Sequence, residues 1–164
     1  MSTSQMSTQS AAARRTAEAE LHSLIIKFAP GQQRLVGAVR RSLRKRLPTA
    51  HEIVYEYSGS FVISFSPNER GYEGVLVING SANGVRLYLG RAKELPDPEK
   101  LLQGAGSKAR WIHIEAVSTL ARPAVARLID EAIARNRIAF ARDGRGSVVI
   151  RSTVAKQRRQ RRSA

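Results

Sequence analysis

Between residues 53 and 89 the side chains alternate with a period of two, and no other feature restricts the fold of this chain as strongly. The stretches 53–57, 61–65, 72–78 and 84–89 are rich in aromatic and β-branched residues and are divided by Ser-Gly, Pro-Asn and Asn-Gly turn signals. Phe61, Ile63 and Phe65 share one face, as do Val85, Leu87 and Leu89, because successive side chains of a strand point to opposite sides. The connections are too short for parallel crossovers, which predicts an antiparallel meander with one face against helices. A further strand is expected over 109–115, with Ile112 and Ile114 on one side and Trp111, His113 and Glu115 on the other. Residues 148–150 read as a short edge strand or an ordered extension.

Elsewhere the period is helical. Leu21, Leu24, Ile25 and Phe28 mark a short helix over 18–27 that Pro30 and Gly31 interrupt. From 32 to 47, Leu35, Val39, Leu43 and Leu47 recur every fourth residue, joined by Val36, and Pro48 closes the helix. Arg34, Arg41 and Lys45 fall opposite that apolar face with Arg44 beside them; Arg40 flanks it, and Arg46 lies within it as a snorkelling end residue. A proline-started helical turn is expected over 95–102, and a last helix begins between 118 and 123 and runs to 137, burying Val125, Leu128, Ile129, Ala132 and Ile133. The fold class is α+β: a mostly antiparallel sheet of about five strands with helices before and after it. The expected organisation is a disordered segment over 1–17, one domain over 18–150, and a disordered basic tail over 151–164.

That tail holds Arg151, Lys156, Arg158, Arg159, Arg161 and Arg162 and no acid. Without those six cations the remaining 22 Lys and Arg still outnumber the 13 Asp and Glu, so the body itself is basic within a chain of net charge +15. Such a field favours polyanions, anionic lipid or acidic partners. There is no cysteine, which excludes disulfides, thiolate metal sites and cysteine nucleophiles. No apolar stretch approaches the roughly 20 residues that span a bilayer, and the start lacks the apolar core of a signal peptide. A soluble cytoplasmic protein is the expectation.

The stretch 94–115, ELPDPEKLLQGAGSKARWIHIE, resembles the signature of the YdhG-like domain, domain of unknown function 1801. The turn Ser66-Pro67-Asn68, the stretch Arg70-Gly71-Tyr72-Glu73 and the helix opening Arg122-Pro123-Ala124-Val125 are similar to that family as well, so the resemblance covers roughly residues 53–134. It implies a small α+β domain, and some members are described as frataxin-like iron chaperones. An acidic ridge is lacking here, the longest acidic cluster being Glu94, Asp97 and Glu99.

His113 and Glu115 share a strand face and, with Glu56 and the loop residue His51, are the weak metal-site candidates. Glu94, Asp97 and Glu99 surround Pro96 and Pro98, where a helix start favours acids. The loop Gly104-Ala105-Gly106-Ser107-Lys108 offers amides and a cation, but it follows a helix and precedes a strand, the reverse of a P-loop, and reads as helix termination. Ser60, Ser64, Ser81 and Ser107, with His22, His51 and His113, form no recognised triad, so no catalytic residue is assigned and no cofactor is expected. Arg86, Tyr88 and Trp111 are the ligand-binding candidates, on the sheet face opposite the apolar positions. The leading expectation is a non-enzymatic binding or accessory protein with an unknown small-molecule or protein ligand. The alternative is sequence-nonspecific binding to RNA or DNA through Arg34, Arg41, Arg44, Lys45, Arg158, Arg159, Arg161 and Arg162. An edge strand and an aromatic sheet face also suit a weak homodimer.

Overall fold

The Ala-rich start of the first helix needs a cap, and Ser10 supplies it: the Ala13 N–H donates to Ser10 Oγ at 3.1 Å. Helix α1 (Ala11–Ile25) therefore begins seven residues earlier than the apolar pattern implies, and it buries Ala17, Leu21 and Leu24. Helix α2 (Pro30–Arg46) starts with proline in its first turn, where the missing N–H costs nothing, and buries Val36, Val39 and Leu43. Arg44, Lys45 and Arg46 fill its last turn, the end that favours cations. This computed structural model describes residues 9–70, 73–106, 109–152, 158, 159, 161 and 162.

Strands β1 (His51–Tyr57), β2 (Ser60–Ser66), β3 (Leu76–Ser81), β4 (Gly84–Leu89) and β5 (Arg110–Ile114) form the expected antiparallel meander. A short 3-10 turn (Val117–Ala121) and helix α3 (Pro123–Ala134) then carry the chain back across the sheet. Strand β6 (Val148–Ser152) pairs parallel with β1, completing a mixed six-stranded sheet in the order β5-β4-β3-β2-β1-β6.

One apolar row explains why the register holds. Val54, Ile63, Ile78, Leu87 and Ile112 lie opposite one another across five strands, and all are buried. A slip of one residue would turn this row to the other face. All three helices contribute to the core cluster that holds this row, through Leu21, Val39, Leu43, Leu128 and Ile129. Gly80 leaves room for the ring of Phe61, its cross-strand partner; a Cβ there would stand 2.6 Å from it.

Several boundaries differ from the sequence reading. Gln9 binds the Val148 backbone from both ends of its amide, at 2.8 and 2.9 Å, so the expected disordered start does not reach residue 17. Strand β3 begins at Leu76; Tyr72, its expected start, lies outside the described residues. In place of the expected proline-started helical turn, 95–102 holds a tight turn in which the Lys100 N–H donates to the Asp97 carbonyl at 3.1 Å. Pro96 and Pro98 supply no amide donors, Lys100 has φ +53°, and Asp97 caps the Leu101 and Leu102 N–H groups at 2.9 Å each. A single helical turn, Ala92–Glu94, precedes this segment. Glu115 lies just past β5, α3 stops at Ala134 rather than 137, and Arg151 belongs to β6 rather than to a tail.

Candidate functional site

Arg41, Arg44 and Lys45 sit three and four positions apart on α2, so they share one helical face. The fold brings Arg14 from α1 and Arg145 from the loop before β6 to the same place. Together these five cations line a cleft of about 490 Å³ whose other walls include Pro48, Ala50, Glu52 and Gly146. It adjoins a second hollow of about 820 Å³ that shares Arg14, Arg44 and Arg145 and adds Arg15, Gln9 and Glu18.

The carboxylates in these walls are engaged by a residue behind the cleft. Arg40 donates to Glu52 at 2.6 and 3.0 Å and to Glu18 at 2.7 and 2.8 Å. Burial acts to lower the Arg40 pKa, but its bonds to Glu18 and Glu52 outweigh burial and hold it above the ordinary value. Glu18 is pulled below the usual carboxylate range, first by its hydrogen bond to Arg40. Arg44 reaches the same acids only at 3.8 and 4.0 Å. Arg14 donates to the Gly146 carbonyl, and its guanidinium is shifted below its ordinary value by burial and then by repulsion from Arg145 and Arg44. The cleft is thus lined by cations that crowd one another.

Four of the expected nucleic-acid contacts are placed by these facts. Arg41, Arg44 and Lys45 meet in the cleft, while Arg34 is exposed on α2 two turns away from Arg41. Arg158, Arg159, Arg161 and Arg162 have helical backbone and exposed side chains. Sequence reasoning missed Arg14, Arg15 and Arg145. The signal was available for the first two: Ser10 ahead of an Ala-rich run is an N-cap pattern, and the helix it starts carries both arginines.

The ligand-binding candidates are also brought together. Tyr88 pairs with Trp111 across β4 and β5, their ring centroids 5.6 Å apart, and the Arg86 guanidinium lies 4.6 Å from the Trp111 ring centroid. By contrast the weak metal candidates are dispersed. Glu56 is on β1 and His113 on β5, four strand spacings or about 19 Å apart, and on opposite faces. Glu56 pairs with Lys27 at 2.8 Å, and the buried His51 accepts the Ser147 N–H on Nδ1 at 3.1 Å. Among the described residues no group of three or more His, Cys, Asp or Glu could hold a metal ion. Of the acidic cluster, Glu94 pairs with Arg91 at 2.7 Å and Asp97 serves as a cap, while Glu99 is exposed.

Gln103 is hydrogen-bonded both ways to Trp111, at 2.8 and 3.1 Å, which makes the Gly104 to Gly106 segment part of a turn between paired backbones rather than the end of a helix. Ser107 and Lys108 lie outside the described residues. Among the described residues, too, no helix is long and apolar enough to cross a membrane. No protein-family model, curated protein or solved structure matches the chain.

Proposed function

We propose that this protein binds RNA or DNA through the phosphate backbone, without sequence preference, with the cleft between α1, α2 and the 143–147 loop as its principal site. The observation that supports this reading most is the convergence of Arg14, Arg41, Arg44, Lys45 and Arg145 from three separate segments onto one open hollow. Repulsion from Arg145 and Arg44 at Arg14 is unfavourable in the free protein, and a row of phosphates would relieve it. The cleft is wide and continuous with its neighbour, which suits an extended strand better than a small enclosed ligand. Phosphate contacts position a polymer, and no base-reading motif accompanies them. Arg158, Arg159, Arg161 and Arg162 would add long-range attraction. A cytoplasmic location belongs with this reading.

The resemblance to YdhG-like domains agrees with a small α+β accessory domain. Its iron-chaperone role draws no support from Glu94, Asp97 and Glu56, which are engaged in pairing and capping. A second reading, a ligand on the sheet face, is favoured by the stacked Arg86 and Trp111.

The test is a salt-stepped anisotropy titration with single-stranded RNA and duplex DNA. The full chain is compared with Arg41→Gln/Lys45→Gln and with Arg158, Arg159, Arg161 and Arg162 all changed to Gln. The cleft variant should bind more weakly, and its log-affinity against log-salt slope on duplex DNA should fall by about 0.9 for each phosphate that is no longer neutralised. Absence of a complex at roughly 50 mM salt, where such contacts are favoured, would reject the proposal. Weakening confined to the variant of the last four arginines would move the site out of the cleft.

A further inference from the structure

A different constellation occupies the opposite end of the sheet. Strands β4 and β5, Gln103 and the turn before α3 enclose a pocket of about 340 Å³, lined among others by Arg86, Gln103, Trp111, His113 and Arg122. We propose, building on the second reading of a ligand beside Arg86 and Trp111, that this pocket binds a small organic oxyanion, a molecule bearing a carboxylate or a phosphate monoester.

Arg86 is a half-buried residue whose guanidinium lies 4.6 Å from the Trp111 ring centroid, yet among the described residues it has no carboxylate partner. An arginine stacked on an indole keeps its N–H donors free for an anion, because the ring face satisfies the charge without accepting those hydrogens. The ring that orients Arg86 is itself fixed. Tyr88 packs against it at 5.6 Å, and both backbone groups of Trp111 bond to Gln103. A donor fork held in this way is prepared for an oxyanion before one arrives.

Arg122 stands on another wall of the pocket, immediately before α3, and it too has no acidic partner among the described residues. His113, exposed beside Arg86 across the strand pair, supplies another donor. Two arginines and a histidine thus face a space near the lower end of the roughly 300 to 1,000 Å³ that small-molecule sites occupy. Glu115 also lines the pocket. One carboxylate at the rim disfavours a long polyanion lying across it, while a small anion held between Arg86 and Arg122 can avoid that charge. This site is independent of the nucleic-acid cleft, from which it differs in strands, helix and loop.

Trp111 is the single tryptophan of the chain, so its emission reports on this pocket alone. The full chain is titrated with glycerol phosphate and with succinate, each against sodium chloride of equal ionic strength. A saturable change in emission with either anion, absent with chloride, is expected. Saturation by one and not the other identifies the phosphate or the carboxylate as the recognised group. Arg86→Gln and, separately, Arg122→Gln should each weaken that binding about tenfold or more, the effect of removing a charge-assisted hydrogen bond. Arg41→Gln/Lys45→Gln should leave it unchanged. Arg122 is exposed, so its variant keeps the test open if Arg86→Gln disturbs the sheet. A response that never saturates, that chloride reproduces, or that survives the Arg122→Gln change overturns the proposal without bearing on the cleft.

Discussion

Arg40 and Glu52, twelve residues apart in the chain, meet through two hydrogen bonds of 2.6 and 3.0 Å at the junction of α2 and the first strand. Their side chains are only 12% and 4% exposed, and two further guanidinium N–H groups close onto Glu18 of α1. Two helices and a strand are joined at one point, directly behind the cleft cations.

Removing the cation from this junction should be costly. In Arg40→Met two carboxylates, one of them buried, lose their hydrogen-bonded partner and keep only Arg44 at 3.8 and 4.0 Å; breaking a buried pair in this way costs up to about 3 to 5 kcal/mol. Adding Glu18→Gln and Glu52→Gln should restore much of that stability, because the uncompensated charge is then gone. Urea midpoints of the single and triple variants check this. A single variant within about 1 kcal/mol of the parent would mean that the network behaves as an exposed surface pair.

Acid should weaken the fold through two groups. The Glu18 pKa is depressed in the folded state, so its contribution is fully present above its unfolded value near 4.5 and is lost as pH falls through the lower, folded value. Burial depresses the pKa of His51, opposed in part by Glu69. The unfolded chain therefore takes up this proton first, and stability declines as pH drops below about 6.5. Protonation would also end the acceptance of the Ser147 N–H by Nδ1. Thermal melts from about pH 7.5 to 5, which span the histidine titration, should show a falling Tm, with a shallower slope in His51→Gln. An unchanged slope in that variant would assign the decline to other groups.

The meander was legible because its signals are local: alternation at 61–65 and 84–89, and short turns between strands. The parallel pairing of Val148–Ser152 was not, since nothing near that segment states which strand it will join, and the register sets Val148 against the distant Glu52. Pro98 reads equally well as a helix start or as part of a capped loop, because proline fits either, and only the positive φ of Lys100 and the Asp97 bonds distinguish the two. At the sites, Arg86, Tyr88 and Trp111 follow from strand parity alone. Arg145 does not, because it reaches the cleft from a loop through the return of the chain to the sheet edge.

Gly146 is a steric test of that return. A Cβ at this position would lie 1.7 Å from the Ala50 carbonyl oxygen, which belongs to backbone and cannot swing aside. Gly146→Ala should therefore push the loop away from the residues before the first strand, at a cost of the order of 1 to 3 kcal/mol or more. It should also displace Arg145 and weaken nucleic-acid binding. Melts and titrations on the same sample check both. Unaltered Tm together with unaltered binding would show that the loop does not sit against Ala50 in solution.

The crowding of cations predicts an exchange of stability for affinity. Arg145 repels Arg14, so Arg145→Gln should stabilise the ligand-free protein at low ionic strength, by less than about 1 kcal/mol because the side chain is exposed. The gain should shrink as salt rises toward about 0.15 M, where screening acts within roughly 8 Å. Nucleic acid should reverse the ranking. Bound phosphates neutralise the cleft, so a short duplex at saturating concentration should raise the Tm of the parent more than that of Arg145→Gln. Four melts, parent and variant with and without duplex at about 20 mM salt, where screening is weak, decide the matter. A variant less stable than the parent without duplex would show that Arg145 contributes structure that outweighs its repulsion, and equal shifts with duplex would remove Arg145 from the binding surface.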